Sequence, residues 1–345
     1  MRADCGNDAG KQEHPGRRSM AARRLTVGAL IVLTVTAALA DRAPAQNYPD
    51  RLIKVVVPFP AGGPIDLTAR LLTQRLAPML GQTVIIENRG GAGGALGTKA
   101  AATAEPDGYT LLFGNASALV VGPAVYRFRD YDTLKQFTPL AKVTEGYEVL
   151  VVAPNFPARN VAELIAYAKA HPGKLNFGSM GYGNLTHLVA ELFKLNTGTD
   201  FVHVPYKGSP EAVAGILAGE VHILFGEVAG LLPLVREGKI RALGMSSVMR
   251  STLAPELPTM IEGGLDGFAA LTFTGMMAPA GTPAPVVNKL NAAVNECLKA
   301  PELVAALAKL GAEVRPGSPE EFGAFLARER DKWVDVVTRT GIKAE

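Results

Sequence analysis

KVVVPFPAGGPIDLTAR, residues Lys54–Arg70, decides the fold. Its β-branched run, Val55-Val56-Val57, predicts a buried strand. The strand stops at Pro58-Phe59-Pro60, and Ala61-Gly62-Gly63 predict a bend that glycine crosses at low conformational cost. Pro64 stands where a first helical residue belongs, its fixed φ suited to starting a helix. Behind it Ile65, Ala69, Leu72, Leu76 and Met79 recur at helical spacing, with Asp66, Arg70 and Gln74 on the other face. Strand, bare glycine loop and helix N-terminus together aim unsatisfied N–H groups at an anion. The stretch predicts the first half of a ligand site. Asp66, in the first helical turn, stabilises the helix dipole and has a second possible use in accepting from an ammonium or amide on a ligand.

Outward from this stretch, strands and helices alternate. Leu52–Pro58, a helix over 64–80, Thr83–Glu87, a helix from Gly94 and Tyr109–Gly114 form one series, the pattern of a mainly parallel α/β sheet. Such sheets bind ligands beyond the carboxyl ends of their strands, where the 59–63 bend lies and where Asn115-Ala116-Ser117 follows. A less regular region, Tyr126–Glu145, leads into VLVVA at 149–153 and a second alternating series running to about residue 246. FAALTFTGMMAP, 268–279, is an extended apolar run that carries the chain back, and Ser318-Pro319-Glu320-Glu321 has the spacing of a capping box before the last helix. The expectation is two α/β domains, residues 46–147 with 273–345 and residues 148–272, joined by two crossings.

The chain has 345 residues, 48% apolar and 19% charged, enough for one large or two medium domains. Its net charge of +3 resides at the N-terminus, because residues 1–45 hold seven basic and four acidic residues. Subtracting these from 35 and 32 leaves 28 of each sign. With one tryptophan and no basic cluster among aromatics, nucleic-acid binding has no support. Arg17, Arg18, Arg23 and Arg24 precede the apolar stretch Leu25–Ala40, and Ala38-Leu39-Ala40 and Ala43-Pro44-Ala45 offer small-residue exits. That describes a cleavable signal peptide over 1–45, with Met20 as an alternative start, and predicts export to the periplasm. The run is short for a membrane anchor. Cys5 falls in the leader, which leaves Cys297 alone on the core stripe of a helix with Val287, Leu290 and Val294, so a disulfide framework is excluded within the mature chain.

A second bend repeats the opening motif. Asn176-Phe177-Gly178-Ser179-Met180-Gly181-Tyr182-Gly183-Asn184 joins a short strand to an amphipathic helix with the stripe Leu185, Leu188, Val189, Leu192 and Phe193. Asn184 suits the N-cap, which puts His187 in the first turn, where the positive helix end favours a neutral, hydrogen-bonding imidazole. A capped surface helix with an incidental histidine is the simpler alternative, but the recurrence of the motif in each expected domain favours a site at Ser179, Gly181, Gly183, Asn184 and His187. A third helix start, VPYKGSP at 204–210, offers Tyr206 and Lys207 either to a ligand or to a turn.

Enzymatic templates fail. Phe177 occupies the first glycine position of G-x-S-x-G, His187, His203 and His222 are scattered, and no His/Cys grouping has metal-ligand spacing. Gly91, Gly93 and Gly97 fit a GxGxxxG variant after a strand, but the next strand ends in Gly114-Asn115 where a dinucleotide site needs an acid for the ribose. A tight loop beside the cleft is the better reading of that glycine-rich segment. No catalytic residue, metal or cofactor is expected.

From about Tyr48 onward the ordered motifs YPDRLIKVVVPFPAGGPIDLTAR, ENRGGAGGALGTKAAA, PDGYTLLFG, HLVAELFK, HVPYKGSPEAVAGILAGEV and APAGTPAPVVNKLN resemble the Bug-type extracytoplasmic solute receptors of tripartite tricarboxylate transporters. The resemblance implies a type II-like two-domain periplasmic-binding-protein fold with its ligand cleft between the domains. It implies a small carboxylate solute held by backbone groups and waters at the loops around Phe59–Gly63 (Phe59, Ala61, Gly62, Gly63) and Ser179–Asn184. A monomeric receptor serving a two-component membrane permease is the partner expectation; a sensor for a membrane signalling partner, or an exported hydrolase or isomerase, are the alternatives. Two departures fall where selectivity is expected: Gly114-Asn115-Ala116-Ser117 in place of the usual Thr-Asn-Ser-Thr, which removes a hydroxyl beside the expected site residues Asn115 and Ser117, and Leu224-Phe225-Gly226-Glu227 where an aspartate commonly follows the strand.

Overall fold

The structure is a computed structural model that describes residues 48–125 and 131–342; the expected leader over 1–45, with its arginines and Cys5, lies outside the described residues. The first series forms as the alternation predicts: β1 (Ile53–Val57), α1 (Pro64–Leu80), β2 (Val84–Asn88), α2 (Ala95–Ala102) and β3 (Thr110–Asn115). After single helical turns the long strand β4 (Phe137–Val152) follows, then α3 (Val161–Ala170), β5 (Leu175–Ser179), α4 (Leu185–Thr197), β6 (Phe201–Pro205), α5 (Ser209–Ala218), β7 (Ile223–Glu227), α6 (Val228–Arg236) and β8 (Arg241–Met245). β9 (Leu271–Pro279), α7 (Ala284–Cys297), α8 (Pro301–Lys309), the short β10 (Glu313–Val314) and α9 (Pro319–Thr340) complete the chain. Among the described residues no helix is long and apolar enough to cross a membrane.

The sheet as a whole is mixed, with each strand–helix series parallel as the alternation predicts and the long connecting strands antiparallel. Its order is β2-β1-β3-β9-β4-β7-β5-β6, with β8 and β10 also pairing β4. β1 pairs β2 and β3 in parallel, and β5 pairs β6 and β7 in parallel. Between these two trios β9 runs antiparallel to β3 and β4, and β4 runs antiparallel to β7 and β8. These two strands are through-going connections rather than members of strand–helix–strand units, so nothing fixes them parallel.

β4 begins at Phe137, twelve residues before the apolar run at 149 that marks it in the sequence, within the stretch expected to be irregular. Residues 137–147 pair β9, and residues 148–152 pair β7. Register shifts interrupt the β9 pairing at Pro139/Ala141 and Lys142/Thr144. Such bulges accommodate a proline inside a strand and sharpen its twist.

The register also fixes where the parallel strands end. β3 stops at Asn115, opposite Thr274, which in turn faces Thr144; β7 stops at Glu227, opposite Glu148. The carboxyl ends of the two trios therefore point at each other over the middle of β4, about 13 Å apart along that strand at ~3.3 Å per residue.

α7 lies against β4 and α1, and α8 against α1 and β10, while α9 packs on β4 and reaches α4 as well. The last helix thus touches both parts of the sheet rather than only the first. Its start is fixed by the expected capping box, Ser318 Oγ accepting from the Glu321 N–H while the Glu321 carboxylate accepts from the Ser318 N–H. Phe322 then sits over Gly275 of β9, in an edge-to-face cluster with Phe273 and Phe325. Cys297 is buried beside Met79, and burial pushes its thiol up to about 11, as a core position predicts.

A Cβ on Gly275 would stand 2.2 Å from the Phe322 ring. Gly275→Ala is expected to lower unfolding free energy by about 1–3 kcal/mol through overpacking, read from urea denaturation. An unchanged midpoint would contradict this seating of α9.

Candidate ligand cleft

The first bend is braced from beneath. Asp66 is 1% exposed, and its carboxylate accepts from the Gly62 N–H (2.8 Å), Arg70 Nε (2.9 Å) and Asn88 Nδ2 (3.0 Å). Asn88 Nδ2 also donates to the Phe59 carbonyl, and Arg70 Nη2 donates to Asn88 Oδ1. Burial alone would raise the Asp66 pKa, but the bonds from Arg70, Gly62 and Asn88, with the charge of Arg70, hold it below the usual carboxylate range. Asp66 is thus committed to holding the loop, and its expected use toward a ligand is corrected accordingly: both oxygens already have donors.

The positive φ of 81° at Gly62 is the conformation that demands glycine here. Gly63, with φ −76° and ψ 167°, is an ordinary extended N-cap to α1, and a Cβ there would meet only Pro60 O at 3.6 Å. The glycine-rich segment at 90–97 seats this bend. A Cβ on Gly94 would crowd Phe59 and Ala118, and one on Gly97 would collide with Arg89 O at 2.5 Å and Pro58 Cα at 2.7 Å. Those glycines are packing contacts beside the loop, consistent with the reading preferred over a dinucleotide site. Asn115 Oδ1 accepts from the Ala118 N–H, so that side chain shapes the turn after β3, with Ser117 starting the helical segment that follows.

The second bend is braced in the same style. Asn184 caps α4, accepting from the Thr186 N–H at 3.0 Å, and Thr186 Oγ1 accepts from the Met180 N–H. The Gly183 N–H donates to His187 Nδ1 at 3.0 Å, so His187 is neutral with its proton on Nε2, as its first-turn position predicts. It is 2% exposed and stacked on His203 with ring centroids 3.7 Å apart, so the ring faces inward and supports the loop from below. Burial, then His203 and Lys194, lower its pKa to about 3; burial and Lys194 lower that of His203 to about 4.

Ser179 Oγ lies 2.6 Å from His203 Nε2, a pairing that looks like a nucleophile and its base. Three facts make it a loop tie instead. Ser179 is 0% exposed, its hydroxyl also engages the Gly181 carbonyl and N–H, and among the described residues nothing orients His203 Nδ1.

Tyr206 turns away from the bend. Its ring fills the gap between Gly178 and Gly215, and its hydroxyl donates to Glu220 at 3.1 Å, so it fastens β6 to α5. Lys207 is exposed on the turn.

None of these residues lines the cavity at the crossing, which has a volume of about 50 Å³, room for a few water-sized groups. Its wall begins at Pro64 and Ile65, at the amino end of α1, and continues through Thr144, Thr272, Thr274 and Glu227. Thr144 Oγ1 and Thr274 Oγ1 are 2.6 Å apart. Beside it Arg315 binds Glu145 (2.8 Å), Glu313 (2.6 Å) and the Tyr147 hydroxyl (2.9 Å), and Lys142 pairs Glu145. Burial raises the Tyr147 phenol to about 12, and the bonds to Glu145 outweigh burial in keeping it ionised. Of this floor only Glu227 was singled out in the sequence; the threonine alternation in LTFTG at 271–275 was the one further signal.

Two parallel trios whose loop-bearing ends oppose each other across a pair of shared strands define a solute receptor of the periplasmic-binding-protein class. The chain belongs to the tripartite tricarboxylate transporter receptor family, whose model, described as "Tripartite tricarboxylate transporter family receptor", matches residues 68–342. It is 39% identical to protein BugT of Bordetella pertussis over 313 residues, 90% of this chain and 96% of that one. The solved periplasmic binding protein BugD is similar at 34% identity and TM-score 0.69, over 86% of this chain and all of that one. MatC of Rhodopseudomonas palustris, solved with bound malate, is similar at 36% identity and TM-score 0.69, over 84% of this chain and all of that one.

Two expectations follow from the bracing. Asp66→Asn is expected to cost about 1.5–3 kcal/mol at neutral pH, the scale of hydrogen bonds to a charged group. Because the folded-state pKa is lowered, that difference from the unsubstituted chain holds above the ordinary carboxylate range and closes as pH falls through the lowered value. Denaturation curves at pH 7 and pH 3 test this; an equal gap at both contradicts it. The histidine pair acts at higher pH. Since the unfolded chain protonates near 6.5 and the folded pair at about 3 and 4, the pair lowers stability as pH falls from 6.5 towards 4, by up to about 1.4 kcal/mol per unit per histidine. His203→Gln should flatten the slope of unfolding free energy between pH 6.5 and 5; an unaltered slope would count against the neutral stack.

Proposed function

We propose that the chain is a periplasmic receptor that captures a small carboxylate-bearing organic solute and delivers it to a two-component membrane permease of the tripartite type, with no chemistry of its own. The observation that carries this reading is the pair of braced bends, Phe59–Gly63 and Ser179–Asn184, each at the carboxyl end of a parallel strand and each opening a helix. In α1 the first intrahelical bond is that of the Leu67 N–H to Gly63 O, and Pro64 has no N–H, so the Ile65 and Asp66 N–H groups stand ready for an anion. The malate bound by MatC supports a carboxylate as that anion.

On this reading residues 46–147 with 273–345 form one domain and 148–272 the other, and the change of β4 partners at Tyr147/Glu148 supports the boundary. Ligand enters between the two bends, and the domains close over it. Residues 1–45 act as the export signal, as their basic and apolar pattern supports.

The test is thermal unfolding of the protein against a panel of mono-, di- and tricarboxylates, amino acids and aromatic acids. A ligand at about a hundred times its dissociation constant adds roughly 2.7 kcal/mol of stability. No shift with any member would overturn the carboxylate reading. Gly63→Val probes the bend separately, because its backbone is already in a conformation valine adopts. Folding should persist while binding of the best panel member falls at least tenfold; full affinity in that variant would remove the first bend from the site.

A further inference from the structure

The floor of the cleft carries two carboxyl groups that the receptor reading leaves without a task. Glu148 and Glu227 are directly paired across β4 and β7. Residues opposite each other in an antiparallel pair share a face, and like charges so placed are destabilising. Thr144, Gly146 and Glu148 lie on that same face of β4 by the strand's two-residue alternation, with Thr274, Thr272 and Glu227 as their respective partners. All of these except Glu148 line the 50 Å³ cavity. Glu148 continues the row one step beyond its wall, 1% exposed, and its Oε2 has no hydrogen-bond partner.

An orphaned carboxyl oxygen this deeply buried has lost its water without a replacement partner, which is destabilising and more so if the group is charged. Burial, reinforced by the charge of Glu227, pushes the Glu148 pKa well above the usual carboxylate range, and burial raises that of Glu227 too. Both directions favour the protonated form of the pair. A cation with N–H donors does the same work better, since it neutralises charge and fills Oε2 together.

Another part of the cavity wall has the reverse polarity, where Pro64 and Ile65 present the amino end of α1, a 17-residue helix. One cavity is thus lined both by an anion-seeking helix end and by Glu227, with Glu148 beside it on the neighbouring strand.

We propose, building on the receptor reading above, that the solute carries a protonated amine at the end remote from its carboxylate, and that Glu227 and Glu148 receive that amine. A second carboxylate at this position would face Glu227 and be rejected by it.

Three four-carbon acids that differ only at the far end test this: 4-aminobutanoate, succinate and butanoate, with their three- and five-carbon homologues. Calorimetric titration of the full receptor should give, for at least one chain length, an amino acid bound at least tenfold more tightly than the diacid and the plain acid of the same length. Glu227→Gln, which keeps the side-chain length and removes the charge, should reduce that preference at least tenfold, and Glu148→Gln should reduce it likewise. Diacids bound as tightly as amino acids at every length would overturn the amine assignment and leave the carboxylate reading standing. A preference that survives Glu227→Gln would overturn it as well. If acids of every kind fail to bind here and in the wider panel, both readings fall.

Discussion

One strand changes partners in mid-course, and most of the molecule is arranged around that change. β4 pairs β9 up to Tyr147 and β7 from Glu148 onward, so a single backbone holds both parallel trios in one sheet. Every N–H and C=O along it must find a partner when buried, which ties the two parts together through main-chain bonds rather than a free linker. The bulges near Pro139 and Lys142 supply the twist that lets sixteen residues bend through the crossing. Arg315 reinforces the same place, joining β4 to β10 through Glu145, Tyr147 and Glu313, while Glu313 Oε1 accepts from Ser251, the Thr252 N–H and the Thr252 hydroxyl. Removing one partner from such a partly buried set leaves charges uncompensated, which is costlier than the set itself is stabilising.

Because the strand ends converge on this crossing, the loops that leave them face each other without any sequence signal for contact between them. Each loop is then stiffened by side chains acting on backbone. Asp66 and Asn88 hold the Gly62 N–H and Phe59 carbonyl; Thr186 and His187 hold the Met180 and Gly183 N–H groups. A bend fixed in advance loses less freedom when a ligand arrives, so more of the interaction remains as affinity. The polar residues near both bends thus serve the loops first. That is why Asp66 and His187, the two side chains most suggestive of ligand contact in sequence, are 1% and 2% exposed.

The fold was largely legible. Periodicity located α1 over 64–80 as it stands, and the capping box at Ser318 was readable from four letters. What escaped was long-range pairing. Pro139, Lys142, Glu145 and Gly146 break the alternation of β4, and only its partners β9 and β10 make that segment a strand. α8 follows α7 after only three residues, 298–300, and in its nine residues buries just Leu303 and Leu307, so it does not stand out as a separate helix. At the site, the bends were visible because glycine and proline report local backbone geometry. The direction of Tyr206 was not, since it depends on the gap between Gly178 and Gly215, which lie far apart in sequence. The threonine and glutamate floor was hidden for the same reason, its members coming from β4, β7 and β9.

The division of labour between loop and strand has a physical basis. A carboxylate is recognised through N–H groups that any backbone offers, so glycine bends suffice and need only be held open. Discrimination of the far end requires side chains at fixed separation, and β-strands position these more rigidly than loops do. Thr144, Thr274, Glu148 and Glu227 stand on adjacent strands whose register is set by uninterrupted main-chain pairing from Thr144 to Val152. A change of one residue there alters the chemistry of the floor without disturbing either bend. Glu227 stands at such a position on the cavity wall, while the adjoining Gly226, against which Met180 and Leu231 pack, keeps the strand end in place.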